Sequence, residues 1–308
     1  MEKYLLLLHG SSIDEFYETN TWPEVGTYAE TKVRSKNAGG PPLNMGCVCA
    51  SLGGNVKSLD YLSKDSDDSK FIVSVLDSYN IDTTNIQYGE AVNCKVVIFN
   101  TNDKRTMFVV HPKRPYYKID DKIQNLLNNA TYIYSMMHII NRSFENLDAL
   151  LKAKENGAKI ILDASSEFTE EWERNILLTL ANGVFINLDD YHHLKAHLNK
   201  DPKEILFENG CEFICITDGA NGSTCYSKDG EYKQDSIKTE VIDSTGAGDS
   251  FAGGFIYGLL QGYDYKKCLK IATACGSKNC TGQGGQAAAG SYEELKEYAL
   301  KHGFELED

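Results

Sequence analysis

Residues 143–163 read SFENLDALLKAKENGAKIILD, and this stretch decides the fold class. Ser143–Asn156 has the length and amphipathic composition of a helix, Gly157 is a natural stop, and the apolar run Lys159–Asp163 reads as a strand entered from it. The same alternation recurs in both directions along the chain. Strands are expected at Tyr4–His9, Thr131–Ser135, Val184–Asn187 and Phe213–Thr217. Helices are expected at Lys70–Tyr79, Glu171–Leu180, Ala247–Leu260, Tyr265–Asn279 and Tyr292–His302. Ser291, with Glu294 three residues later, makes a capping box for the last of these. Aliphatic strands buried on both faces and joined by helical crossovers imply a three-layer α/β/α body around a mostly parallel sheet. Two regions break the pattern. Thr27–Lys36 alternates polar and apolar residues, and Cys94–Asn100 and Arg105–Val110 flank a turn at Asn102-Asp103-Lys104. They read as half-exposed antiparallel strands of a small second sheet, whose apolar face needs a ligand-filled cleft or a second subunit to cover it.

The 308 residues include 31 basic and 44 acidic side chains, a formal charge of −13. An acidic body repels nucleic acid and anionic membrane surfaces at long range, which argues against both as partners. No run approaches the ~20 apolar residues of a bilayer span, and Leu5–Leu8 is too short for a signal peptide core. The nine cysteines are scattered and contain no Cys-x-x-Cys pair. That spacing argues for free thiols in a reducing cytoplasm rather than disulfides or a zinc site.

The chemistry is concentrated in Asp243-Ser244-Thr245-Gly246-Ala247-Gly248-Asp249-Ser250-Phe251, which follows the strand-like Lys238–Ile242 and opens a helix. Small residues at 246–248 let backbone approach a ligand closely and leave N–H groups pointing outward, an anion hole suited to a phosphoryl group in transit. Asp249, in the first helical turn, is placed to accept a proton from an attacking hydroxyl. The plainer reading is a helix-capping aspartate after a glycine turn. Two other glycine motifs are excluded. A P-loop needs Lys-Ser/Thr after its last glycine, which occurs nowhere, and a dinucleotide fingerprint needs a small residue where Phe251 stands.

The segment resembles the C-terminal signature of the ribokinase-like (PfkB) carbohydrate kinases, Asp-x-x-Gly-Ala-Gly-Asp. Gly39-Gly40-Pro41-Pro42-Leu43-Asn44, followed by Gly53-Gly54, is similar to the family's N-terminal signature. Gly10-Ser11-Ser12-Ile13-Asp14 resembles its first-strand Gly-x-x-x-Asp, Asn187-Leu188-Asp189-Asp190 its Asn-x-x-Glu, and Thr217–Gly222 its Thr-x-Gly-x-x-Gly turn. The matches run in family order from residue 10 to about 290.

The resemblance implies one kinase domain over 1–308, with a small β-sheet lid contributed by about 15–36 and 92–112, and a homodimer formed through the lids. It implies ATP-dependent phosphorylation of a sugar hydroxyl. Asp14, Gly39, Gly40 and Asn44 would orient the sugar, Asp249 would take its proton, and the N–H groups of Gly246, Ala247 and Gly248 would hold the phosphoryl. Thr217, Gly219 and Gly222 would lie beside the nucleotide phosphates. Mg²⁺ would reach Asn187 and Asp190 through water, since magnesium keeps several waters. Arg105 matches a lid arginine that meets the ligand or else tips a hairpin. Asp243 and Thr245 match side chains that hold K⁺ in many members. This chain departs from the pattern at Asp190, one methylene shorter than Glu; at Pro41-Pro42, which remove two N–H donors; and at Ala287–Ala289, where a serine ligand is expected.

Other constellations carry simpler readings. His193 and His197 share a helix face with His192 nearby, a metal-like cluster that a solvated surface explains as well. Lys32, Arg34 and Lys36 share one strand face and suit either a substrate phosphate or protection of a sheet edge. The rival functions are a nucleoside kinase on the same scaffold and a non-catalytic sugar or nucleotide sensor.

Overall fold

The computed structural model describes residues 2–101, 104–164, 170–198 and 200–306, with only the backbone of Lys104 and Arg105. The chain begins with β1 (Leu5–Leu8), β2 (Ser12–Glu18), β3 (Lys32–Gly39), α1 (Pro41–Ser51), β4 (Val56–Leu59), β5 (Tyr61–Ser63), α2 (Asp67–Ser78) and β6 (Gln87–Gly89). There follow β7 (Cys94–Thr101), β8 (Lys104–Val110), α3 (Asp121–Asn128), β9 (Tyr132–Met136), α4 (Met137–Ser143), α5 (Asp148–Glu155), β10 (Lys159–Asp163) and α6 (Glu171–Leu180). The last third holds β11 (Gly183–Asn187), α7 (Leu188–Leu198), α8 (Pro202–Glu208), β12 (Phe213–Thr217), β13 (Ser223–Ser227), β14 (Gly230–Gln234), α9 (Ala247–Gln261), α10 (Tyr265–Asn279) and α11 (Tyr292–Lys301).

An eight-stranded sheet runs β14-β13-β12-β11-β10-β9-β1-β4. It is parallel from β4 to β12, and the hairpin β13–β14 closes one edge antiparallel. Its strands are apolar on both faces because helices cover both. Leu5, Leu7, Tyr134, Ile161 and Phe213 pack in one core with α1, α9 and α10. Their alternates Leu6, Leu8, Ile133, Ile160 and Val184 pack in the other with α3, α5 and α6. The expected three-layer body is thus present, and Glu171–Leu180, Tyr265–Asn279 and the Ser291–Glu294 capping box fall where the pattern put them.

Four expectations need correction. Ser143–Asn156 is not one helix: Ser143 ends α4 and α5 begins only at Asp148. The break turns Phe144 inward, where its buried ring meets Tyr117 edge-on at 5.3 Å. Lys238–Ile242 forms no strand; at its end Ile242 N–H donates to the Cys280 carbonyl at 2.8 Å. The small sheet, ordered β3-β2-β7-β8, is mixed rather than antiparallel, because β2 and β7 run parallel. Its first hairpin is β2–β3, so residues 27–31 lie outside any strand and Ser12–Glu18, which the alternation did not reveal, is central. Of the expected turn at 102–104, Asn102 and Asp103 lie outside the described residues.

Pro41 and Pro42 also find a physical reason. They occupy the first two positions of α1, where N–H groups would have no helical partner anyway.

Candidate active site

The parallel strands end together at Leu8, Met136, Asp163, Asn187 and Thr217, and the small sheet rises from the same edge because β2 follows closely on β1. Ligands of open parallel sheets collect outside this carboxyl edge. α9 aims its N-terminus there. Its N-cap, Gly246, has φ +75°, and a Cβ on it would stand 2.4 Å from Gly285 Cα, so only glycine fits. Ala247 N–H turns back to the Ser244 carbonyl at 3.2 Å, so it is not free for a ligand as expected. Gly248 faces open space: a Cβ built on it would meet no atom within 4 Å.

Asp249 follows directly. Asn44, buried on α1, donates through Nδ2 to Asp249 Oδ2 at 2.8 Å. Gln286 in turn donates to Asn44 Oδ1 at 3.3 Å and to the Ala38 carbonyl at 3.0 Å, which fixes the orientation of the amide. Burial pushes the Asp249 carboxyl up to about 7, against the Asn44 hydrogen bond and helped by repulsion from Asp163 and Asp14. Asp163 ends β10 and accepts from the buried Tyr134 hydroxyl at 3.2 Å. Asp14 lies flat on Gly39: a Cβ there would meet its Oδ2 at 2.2 Å, and Ser12 Oγ donates to its Oδ1 at 2.8 Å. Gly40 caps α1 with φ +105°. The structure therefore joins Asp14, Gly39, Gly40, Asn44, Gly246, Gly248 and Asp249, drawn from the two ends of the sequence, around one carboxylate. Arg105's side chain lies outside the described residues.

A second group lines a cavity of about 520 Å³ beyond Gly248. Thr217, Gly219 and Gly222 meet Ala247 and Gly248 there, and Ile237, Val241 and Phe251 supply apolar walls. Two lining hydroxyls, Ser223 Oγ and Thr273 Oγ1, are buried without a hydrogen-bond partner among the described residues. A cavity with apolar walls, orphaned hydroxyls and a helix N-terminus at one end fits a nucleotide. Asn187 is opposite Thr217 in the β11–β12 register. Its amide donates to Asp190 Oδ2 at 2.6 Å and accepts from Asp190 N–H at 2.8 Å, so the shorter Asp is held by the asparagine. Asp243 accepts from Thr245 N–H and Oγ1 at 2.9 and 2.6 Å through one oxygen and from Gly284 N–H at 3.0 Å through the other.

The histidines do not form a site. His192, His193 and His197 are exposed, and no cluster of metal-ligating side chains occurs among the described residues. Lys32, Arg34 and Lys36 lie on β3, an edge strand; Arg34 pairs with Glu18 at 2.9 Å and Lys36 pairs with Asp68. Sequence reasoning missed Asp163, Tyr134 and Gln286. Asp163 carried a usable signal, an acid closing an apolar strand at its carboxyl end; Gln286 carried none.

The sequence matches the pfkB family carbohydrate kinase profile over residues 5–290. The chain belongs to that family, and it is an ATP-dependent kinase acting on a hydroxyl of a sugar or nucleoside. It is 26% identical to a nucleoside kinase of Methanocaldococcus jannaschii, over 98% of both chains. It is 24% identical to an aminoimidazole riboside kinase of Salmonella typhimurium, over 87% of this chain and 89% of the relative. The fold superposes on Arabidopsis thaliana ribokinase, solved with ribose and ATP, with a TM-score of 0.84 at 19% identity and coverage of 100% of both chains.

Proposed function

We propose that the chain transfers the terminal phosphoryl of ATP to a sugar hydroxyl with Asp249 as general base. The observation that carries this reading is a carboxylate fixed by Asn44, one residue beyond a glycine that lines the cavity of about 520 Å³, where burial pushes its pKa up to about 7. A base with that affinity for protons is half ionised near neutrality, where it can both accept and release one. Asp14, Asn44 and the Gly39-Gly40 turn orient the acceptor. Gly246, Gly248 and the turn through Ala247 present the α9 N-terminus to the transferring group, which stabilises its charge. Thr217, Gly219 and Gly222 hold the nucleotide phosphates. Mg²⁺, when bound with ATP, neutralises phosphate charge, and Asn187 and Asp190 would hold its water shell. Asp243 and Thr245 are the proposed K⁺ side chains; activity in potassium against a bulky organic cation tests that role.

A nucleoside acceptor is the second reading, favoured by a cavity of about 740 Å³ beside Gly10 that exceeds the needs of a pentose. The small sheet acts as a lid over the acceptor, the chain works as a homodimer in the cytoplasm, and Arg105 approaches the ligand from the lid. ADP release against ketoses, aldoses, amino sugars, sugar phosphates and nucleosides tests the whole reading. ATP binding without turnover on any of them would favour the sensor.

A further inference from the structure

The cavity of about 740 Å³ lies between the segment leaving β8 and α4. The chain carries a net charge of −13, yet no carboxylate of the described residues lines this cavity. Its walls hold His111, Lys113, Arg114, His138 and Arg142. Arg114 is already compensated, with Nη1 3.2 Å from Asp60 Oδ1 and Nη2 donating to the Ser11 carbonyl. Lys113 and Arg142 are exposed and form no ion pair among the described residues. The two imidazoles lie 6.4 Å apart. Burial first, then the charges of Arg142 and His111, lowers the His138 pKa to about 4, so at neutral pH it adds no charge but offers an N–H.

The cavity borders the acceptor side of the site. Gly10 lines it, and the Gly10 carbonyl is 3.2 Å from a Cβ built on Gly40. Cys94, also in the lining, is in register with Ser12, two residues before Asp14, and its thiol feels the charges of both Asp14 and Arg142. Two like charges facing one concavity, with no carboxylate of the described residues in its lining, are an arrangement that a bound anion relieves. A guanidinium is suited to grip carboxylate or phosphate through two parallel hydrogen bonds.

We propose that this cavity receives an anionic group, carboxylate or phosphate, carried by the sugar that is phosphorylated, with Arg142 and Lys113 as its counter-charges and His111 and His138 as hydrogen-bond donors. The assignment rests on the reading of Asp14, Asn44 and Asp249 as the acceptor site. It narrows the acceptor class to sugar acids and sugar phosphates, and it competes with the nucleoside reading, which draws on the same cavity.

Calorimetric titration of aldonates, keto-aldonates and sugar monophosphates, each beside its neutral parent sugar, tests it, with ADP release measured on the same panel. At least one anionic member is expected to bind more tightly than its parent. Arg142→Gln should weaken that binding about 10- to 100-fold, the scale of a charged hydrogen-bond pair, with ATP affinity unchanged; Arg142→Lys should restore part of it. Arg142 is exposed, so neither change threatens folding. Equal affinities across every pair, or an Arg142→Gln chain that binds the anionic member as tightly as the parent protein, overturns the proposal. An anionic sugar that binds without ADP release supports the cavity assignment while refuting the kinase roles. ADP release with neutral acceptors alone does the reverse.

Discussion

Asp249 is pulled in two directions: Asn44 favours its charged form, while burial and the neighbouring Asp163 and Asp14 disfavour it more strongly. That balance sets both activity and stability. As a base it must be ionised, so kcat/KM should fall about tenfold per pH unit below an apparent pKa of about 7, and Asp249→Asn should lose about 10²–10⁴ in kcat. Stability runs the other way. A carboxyl that binds its proton more tightly when folded penalises the native state once the unfolded chain has ionised. Stability therefore declines as pH rises from the ordinary carboxylate value toward about 7. Thermal melts of Asp249→Asn should show a Tm at or above the parent's at about pH 8, with the gain vanishing near about pH 4. A lower Tm on the alkaline side would mean that the carboxylate is a structural cap, the plainer reading of the sequence. Its position in a first helical turn was legible from Gly246-Ala247-Gly248-Asp249 alone. Its pKa was not, because that depends first on burial, then on the Asn44 hydrogen bond and on Asp163 and Asp14, all contributed by distant segments of the chain.

At the scale of the element, α9 separates two glycines that look equivalent in sequence. Gly246 has a left-handed backbone and backbone atoms of Gly285 against its missing side chain, whereas Gly248 opens on empty space. Gly246→Ala should therefore cost upward of about 1–2 kcal/mol and lower the Tm by several degrees. Gly248→Ala should melt like the parent but raise KM for ATP or lower kcat, because its methyl enters the space assigned to phosphate. Differential scanning fluorimetry with steady-state kinetics separates the two outcomes, and equal loss of stability in both variants would contradict this account. The helix itself was readable, from a glycine turn leading into an apolar run. The strand expected just before it was not realised: Val241 and Ile242 are 62% and 67% exposed, so β-branched residues here satisfy propensity without a ladder. The Ser143–Asn156 helix failed for the converse reason. Its periodicity was sound, but one aromatic residue, Phe144, gained more from the core beside Tyr117 than from continuing the helix.

For the whole molecule, the body was legible because parallel strands buried on both faces leave a continuous aliphatic signature, whereas the small sheet was only half legible. β2, Ser-Ile-Asp-Glu-Phe-Tyr-Glu, looks like a polar loop because it bears the site's Asp14 and two surface ion pairs, Glu15 with Lys95 and Glu18 with Arg34. The buried pair Asp60–Arg114 joins the segment leaving that sheet to the floor between β1 and β4. Removing the cation by Arg114→Met leaves Asp60 charged and fully buried, so urea denaturation should report a loss of about 3–5 kcal/mol.

The outer strand β8 poses a different problem. Met107, Phe108, Val109 and Val110 are each about half exposed, so apolar side chains project from both faces of an edge strand. One face is partly covered: Phe108 lies over Trp22 at 6.3 Å and edge-on to Phe99 at 6.2 Å. The alternate residues, Met107 and Val109, point the other way, and one chain cannot cover both sides of its own edge. If a second copy supplies the cover, analytical ultracentrifugation should find a dimer at micromolar concentration, and Val109→Asp should shift it to monomer. The same change should raise KM for the acceptor while leaving KM for ATP unaltered, since no residue of this sheet lines the cavity assigned to the nucleotide. A parent chain that sediments as a monomer at every concentration would remove the second subunit and leave the bound acceptor as the only cover for that face.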